Sequence, residues 1–280
     1  MRWIIRGLLV VVGIVAVAIV VLYGASEYVI RKGHAVPLTQ IAVPADAASI
    51  AEGARLARIT GCSDCHGDRG QGRVFVDDPM FGRVAPPALT RVATNYTNPE
   101  LVRAIRHGVR KDGSSLFVMP TGALGHLSDD DVGKVIAWVR SLKLQPGDST
   151  LGTSFGPIAR AMLLAGKVPK SATPQTVSTA TRPTAIGRYF VEVSCNGCHA
   201  LHSERLSDDG RQTVPPLAMV SGSYDLVKFK HLLKTGEGMS KRDLGLMSEA
   251  ARGGLNSLTD AEVEAIHAYL KMEAAKAPTK

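Results

Sequence analysis

The sequence predicts an all-α chain in which two equivalent helical domains follow an N-terminal membrane helix. Three observations carry that prediction. An uninterrupted apolar run occupies residues 7–23, no later segment has a convincing strand period, and a set of landmarks along 45–143 recurs along 184–275. With 280 residues, 45% of them hydrophobic, the chain suits two domains of ordinary size. Aromatic residues make up only 5%, thin filling for two cores unless another group supplies apolar volume.

The first element is Met-Arg-Trp-Ile-Ile-Arg followed by the apolar run from Gly7 to Tyr23. Its length approaches the roughly 20 residues needed to cross a bilayer. Trp3 and Tyr23 sit at its two ends, as interfacial aromatics do. Gly24-Ala25-Ser26 offers a small-residue cleavage site, but a signal-peptide apolar region is usually shorter than this one. Residues 1–24 therefore read as an uncleaved signal anchor and 25–44 as a short stalk. Arg2 and Arg6 are balanced by Arg31 and Lys32, so loop charge does not settle the orientation.

Beyond the stalk, each half opens with a helix carrying glycine and a larger residue three positions on, Gly53 with Leu56 and Gly187 with Phe190. A Cys-x-x-Cys-His pentapeptide follows, then a proline pair in a loop, Ala85-Pro86-Pro87-Ala88-Leu89 or Val214-Pro215-Pro216-Leu217. A middle helix comes next. In the first half Asn98-Pro99-Glu100 opens it, with proline near a helix start, and Ser223–Leu233 is its counterpart. A glycine-broken loop containing methionine leads to the last helix, opened by Leu127-Ser128-Asp129-Asp130-Asp131 and by Leu258-Thr259-Asp260-Ala261-Glu262. Ser128 with Asp131, and Thr259 with Glu262, have the spacing of an N-cap and its reciprocal carboxylate. Trp138 and Tyr269 each lie eleven residues past the opening leucine. Between the halves, 144–183 is a linker. Phe155–Ala165 can form a short apolar helix, packed between domains or against a partner, and Ser171–Pro183 is an extended connector rich in Ser, Thr, Pro and Ala.

Cys62-Ser63-Asp64-Cys65-His66 and Cys195-Asn196-Gly197-Cys198-His199 contain every cysteine in the chain. Cys-x-x-Cys-His is the attachment signature of c-type haem. On one helical turn, two thiols three residues apart reach one edge of a flat macrocycle while the adjacent histidine points at its centre. A zinc site would need a second ligand pair in close register, and these pairs lie more than a hundred residues apart. A thioredoxin-like pair would follow a βαβ strand, which neither motif does. Disulfides would not require the histidines. Two covalent haems c are the expectation, and their porphyrins would supply the missing apolar volume.

The net charge is +8, but it is concentrated outside the two domains. Residues 143–183 hold five bases against one acid, while 184–280 hold twelve of each. Neither domain has a basic stripe, so a nucleic-acid partner is not expected.

With these landmarks in place, residues 45–143 and 184–275 resemble tandem class I cytochrome c domains, similar to those in cytochrome subunits of bacterial membrane dehydrogenases. The resemblance implies that the first and last helices of each domain cross at Gly53 and Gly187, against the helices bearing Trp138 and Tyr269. It also implies that a proline-loop carbonyl, from Pro86 or Pro87 and from Pro215 or Pro216, accepts a hydrogen bond from His66 or His199. His66 and His199 would ligate iron, with a distal methionine opposite each. Met119, in Phe117-Val118-Met119-Pro120, has the family's Met-Pro context, whereas Met80 precedes the proline loop. In the second domain Met247 has the matching position before the last helix, with Met239 as its competitor, and Met219 also follows His199. Met162 and Met272 read as packing residues. His107, His126, His202, His231 and His267 read as surface or packing residues.

Six-coordinate His/Met haem suits electron transfer and not catalysis. The resemblance implies a protein of the respiratory chain that carries electrons from a quinol-oxidising complex or dehydrogenase to a soluble cytochrome or terminal oxidase. Because c-type attachment is completed outside the cytoplasmic membrane, both domains are expected in the periplasm, on a single-pass protein of the inner membrane. A fixed subunit of a membrane dehydrogenase or oxidase complex is the alternative. A dihaem peroxidase is a third reading, but it needs an open iron.

Overall fold

The structure, a computed structural model, describes residues 1–173, 178–207, 210 and 212–276. Part of the expected connector, 174–177, thus lies outside the described residues, as do 208, 209 and 211 of the second half.

Helix α1 (Arg2–Arg31) continues through the apolar run and eight residues past Tyr23. Its hydropathy reaches 3.0 with the apolar side chains exposed, so by length and composition it can cross a bilayer. From Gly33 the chain is extended and lies along the first half. Gly33 pairs with Ser114, the His34 N–H donates to the Gly113 carbonyl at 2.9 Å, and Ile41 and Val43 pack on the core.

The first half then runs α2 (Ala47–Ile59), α3 (Cys62–His66), β1 (Val76–Asp78), β2 (Gly82–Val84), α4 (Leu89–Asn95), α5 (Asn98–His107), α6 (Thr121–Leu124) and α7 (Asp129–Ser141). β3 (Ser154–Phe155) and α8 (Pro157–Leu164) occupy the linker. The second half opens with α9 (Ile186–Phe190), which passes directly into a π-helical turn, Val191–Cys195. β4 (Arg205–Leu206), β5 (Thr213–Val214), α10 (Leu217–Ser223), α11 (Leu226–Thr235), α12 (Leu246–Gly253), a 3₁₀ turn at Leu255–Ser257 and α13 (Asp260–Lys276) follow. The fold is mainly helical, as expected, although five short strands were not foreseen. β1, β2 and β3 form an antiparallel sheet in that order, and β4 pairs with β5.

In each half the first and last helices cross at the glycine the sequence marked. A Cβ at Gly53 would overlap the Lys134 carbonyl of α7, and one at Gly187 would overlap the Ala265 carbonyl of α13. Trp138 and Tyr269 stand four residues beyond those two contact points, so the helices match in register. Glycine is required here by close approach, not by backbone angle. Gly53→Ala and Gly187→Ala are each expected to force the helices apart and cost about 1–3 kcal/mol. Thermal unfolding of the haem-loaded protein measures this, and an unchanged midpoint would refute the crossing.

The central elements also correspond. α4 and α10 both span seven residues and end before a tyrosine, Tyr96 or Tyr224. α5 and α11 both span ten residues and end at left-handed glycines, Gly108 (φ 62°) and Gly236 (φ 76°). Arg106 donates to the Leu127 carbonyl at 2.8 Å, and Lys234 donates to the equivalent Leu258 carbonyl. The middle helix of the second half starts three residues later than expected, because Asp225 caps it by accepting from the Lys228 N–H at 2.9 Å.

The two caps of the last helices differ. Thr259 and Glu262 form the full reciprocal pair, at 2.7 and 3.2 Å. Thr259→Ala is expected to cost about 1 kcal/mol, read as a lowered unfolding midpoint. In the first half Ser128 accepts from the Asp131 N–H at 3.2 Å, but the carboxylate does not return the bond. Asp131 turns instead to groups farther along the chain: Tyr189 Oη of the second half donates to it at 2.6 Å and Arg182, at the end of the linker, donates at 2.8 Å. Tyr189 Oη in turn accepts from the Ser128 N–H at 3.1 Å. A pattern that is local in one half has become a bond between halves in the other.

That bond is one part of a continuous interface. Leu56, Leu127 and Ile136 share a buried cluster with Tyr189, Phe190, Val193 and Ile266. At its polar edge, Arg55 bridges Glu52 and Glu262 while Arg182 bridges Asp131 and Glu52. The apolar linker helix α8 does not sit between the halves. It packs on α1, with Arg160 stacked on the Tyr23 ring at 4.6 Å.

Two matched candidate haem sites

The two Cys-x-x-Cys-His turns are reached differently. α2 stops at Ile59, and Gly61 (φ 77°) reverses the chain before α3 presents Cys62, Cys65 and His66. In the second half the spacing from the crossing glycine is one residue shorter. No reversing glycine intervenes. α9 runs through its π-turn to Cys195, and the His199 N–H closes onto the Cys195 carbonyl at 2.9 Å.

Both turns then make the same side-chain bond. His66 Nδ1 lies 2.8 Å from the Pro87 carbonyl, and His199 Nδ1 lies 2.8 Å from the Pro215 carbonyl. A carbonyl can only accept, so Nδ1–H donates and Nε2 carries the lone pair suited to a metal. These acceptors correct the register of the proline pairs. Pro87-Ala88-Leu89 matches Pro215-Pro216-Leu217, because the acceptor stands immediately before the N-cap of the following helix in each half. The loops are held by Leu89 N–H to the Gly70 carbonyl at 2.7 Å and Leu217 N–H to the Ala200 carbonyl at 3.0 Å. Burial lowers both histidine pKa values against the opposing carbonyl bonds, favouring the neutral imidazole that can ligate.

No disulfide joins the two cysteines of either turn. Burial pushes Cys62 and Cys195 up to about 11 and raises Cys65 as well. A disulfide-exchange pair needs a lowered thiol pKa, so the redox-pair reading loses ground. No group of three or more His, Cys, Asp or Glu gathers as a metal site among the described residues. Cys62 packs beside Trp138, Ala57 and Val139, while Cys195 packs on the shared core.

Among the methionines, Met119 and Met247 are half-buried and packed on that core. Met80, Met219, Met239 and Met272 are all more than half exposed, and Met162 is 38% exposed. Both half-buried methionines follow a left-handed residue. Val118 has φ 70°, which a β-branched side chain rarely adopts, and Gly245 has φ 62°. Four of the other histidines have partners elsewhere. His107 faces the Thr173 carbonyl, His231 pairs with Glu237, His202 lies 3.5 Å from Glu273, and His267 meets the Tyr224 carbonyl. His126 lies 3.6 Å from Glu192.

Two residues absent from the sequence reading are Arg73 and Arg205. Arg73 donates to the Asp64 carbonyl at 2.9 Å and Arg205 donates to the Asn196 carbonyl at 3.2 Å, each bracing a cysteine turn. The available signal was an arginine six or seven residues after each motif histidine.

The cytochrome c family profile matches residues 50–143. This segment is a cytochrome c domain. Its donor set fits the covalent haem c such a domain carries, with thiols on one helical turn and a histidine whose Nδ1 is already engaged. Across a wider span, the chain is 29% identical over 266 residues to the fructose dehydrogenase cytochrome subunit of Gluconobacter japonicus, covering 82% of this chain and 53% of that protein. It is 28% identical over 197 residues to the alcohol dehydrogenase (quinone) cytochrome c subunit of Gluconacetobacter polyoxogenes, covering 64% of this chain and 41% of that one. The chain thus spans about half the length of these curated relatives. The chain is thus similar to cytochrome subunits of dehydrogenases.

Proposed function

We propose that the chain is a membrane-anchored dihaem c-type cytochrome, with tandem cytochrome c domains at 45–143 and 184–275, that carries single electrons. One observation carries the two-haem reading: the His-to-proline carbonyl bond and the half-buried distal methionine occur in both halves. Haem c supplies a one-electron iron couple when bound. Cys62, Cys65, Cys195 and Cys198 would hold it covalently, His66 and His199 would ligate from one side, and Met119 and Met247 from the other. Pro87 and Pro215 fix the imidazole planes and raise ligand basicity. Met119 and Met247, both packed on the core, would fill the position that a peroxidase must leave open, which disfavours the enzyme reading.

The relatives favour a particular setting, the cytochrome subunit of a membrane dehydrogenase, over a free carrier. A donor dehydrogenase or quinol-oxidising complex and a downstream cytochrome or terminal oxidase would be the partners. The inner membrane would hold α1, with both domains periplasmic. Ser26 is buried and accepts from Arg160 at 2.8 Å, so cleavage near Gly24-Ala25-Ser26 would remove a packed contact. That supports a retained anchor.

The test is stoichiometry and spin state. Purified full-length protein is expected to retain two haems per chain after denaturation, by the absorbance of the pyridine complex against protein mass. It should be low-spin when ferric and slow with peroxide. One haem per chain would overturn the tandem assignment, and rapid peroxide turnover would overturn electron carriage.

A further inference from the structure

We propose that the turn joining β1 to β2, carrying Met80 and Phe81, together with Ile158 at the start of α8, dips into the headgroup layer of the bilayer that α1 crosses. The first half would then be seated on the membrane, not swinging from it. The proposal rests on α1 spanning the membrane, as proposed above.

The direction of α8 carries the argument. Near its start Arg160 stacks on Tyr23 at 4.6 Å and reaches Ser26 at 2.8 Å and Glu27 at 3.0 Å. Near its end Leu163 and Leu164 line a cavity with Val29, farther along α1. α8 therefore runs alongside α1 in the same sense, and its N-terminal end points back towards the apolar run. The hairpin is fastened to that end. The Ile158 N–H donates to the Met80 carbonyl at 2.9 Å and the Gly156 N–H donates to the Phe81 carbonyl at 3.0 Å. A Cβ at Gly156 would overlap the Met80 carbonyl, so glycine lets the two segments close.

Large apolar side chains nevertheless remain uncovered there: Met80 is 51%, Phe81 49% and Ile158 37% exposed. The charge nearby is net positive, because Arg31, Lys32, Arg83, Arg160, Lys167 and Lys170 outnumber Glu27, Asp77, Asp78 and Asp112. Arg31, Lys32, Lys167 and Lys170 lie on or beside the far ends of α1 and α8. Of the acids, Glu27 is taken by Arg31 and Arg160, Asp77 by Arg83, Asp78 by the Met80 and Phe81 amides, and Asp112 by Ser114. An apolar tip level with an interfacial tyrosine, under long cationic side chains, matches the acyl boundary and anionic headgroups of a bilayer. The seat is coupled to the first haem site, because Phe155 of β3 meets the Phe117 ring at 4.9 Å, two residues before Met119.

The test uses the full haem-loaded chain in vesicles of phosphatidylethanolamine and phosphatidylglycerol. Nitroxide labels are placed at Phe81→Cys, Val15→Cys in the apolar run and Val227→Cys on the exposed face of α11. The ratio of oxygen to aqueous nickel-chelate accessibility is read at each. The proposal expects the label at 81 to lie between the other two and several-fold above the label at 227. If 15 is lipid-embedded while 81 matches 227, the bilayer does not cover this surface, and a protein partner becomes the candidate. If 15 is also aqueous, the membrane span itself fails and the seating fails with it. The visible spectrum of each variant verifies folding, and Ile158→Cys repeats the measurement at a second position of the seat.

Discussion

Met119→Ala is expected to abolish about half of the weak far-red absorption that a thioether–ferric iron bond gives, and adding Met247→Ala is expected to abolish the rest. The reason lies in packing. Of the methionines downstream of either motif histidine, these two are set into the core while Met219, Met239 and Met272 are mostly in solvent. The backbone is also committed to their placement. Val118 is held at φ 70° immediately before Met119, and Pro120 stiffens the other side. A β-branched residue in the left-handed region costs on the order of 1–3 kcal/mol and persists only where surrounding contacts demand it. Thioether sulfur favours ferrous iron, so its loss should lower the potential of the affected site. The fall should be a few tenths of a volt, within the roughly 0.8 V that axial ligation spans. Redox titration separates the two sites, and Met239→Ala should leave both unchanged. An undiminished band in the double variant would remove methionine from the distal position altogether.

The parts legible from sequence were those fixed by local geometry or by a repeated landmark. Gly53 and Gly187 could be marked as crossing points because the recurring landmarks resemble class I cytochrome c domains, whose first and last helices cross there, and both meet the facing backbone. The histidine-to-proline bond was legible for the same reason. Its register was not, because two adjacent prolines look alike until the helix start at Leu89 or Leu217 fixes which carbonyl faces the ring. The hairpin at 76–84 escaped notice because strands of three residues carry no measurable alternation. Residues 33–44 read as a stalk since nothing in their composition reveals that Ile41 and Val43 dock on a core assembled far along the chain. Ser128 and Asp131 show the opposite failure. The cap spacing was correct, but the carboxylate was claimed by Tyr189 and Arg182, more than fifty residues away. Local rules predict which groups can pair, and tertiary competition decides which do.

Arg182→Met should therefore be among the most damaging substitutions that touch neither haem site. Asp131 is fully buried and carries a carboxylate whose partners are Arg182, the Tyr189 hydroxyl and Lys134 at 3.6 Å. Removing one partner of a buried pair costs about 3–5 kcal/mol, because the remaining charge keeps its desolvation penalty. Lys134 and Tyr189 stay in place, so the lower end, about 3 kcal/mol, is expected. Denaturant unfolding of the full chain in detergent measures it. Adding Asp131→Asn should recover part of the loss, whereas additive losses would mean that the two groups act independently. Acid should weaken the same interface. Hydrogen bonds from Arg55, outweighing burial and helped by Arg182, hold the Glu52 carboxyl down at about 2 from its ordinary 4.5, and Glu262 is lowered by Arg55 against a larger burial effect. A depressed carboxyl pKa stabilises the fold fully above the unfolded value. That contribution disappears as pH falls from about 4.5 towards 2. Protonation of His66 or His199 would also cost the haem a histidine ligand in acid, so the informative comparison is between variants. Glu52→Gln should be less stable at neutral pH but lose less between pH 4.5 and 2, and parallel acid profiles would exclude Glu52 from holding the two halves together.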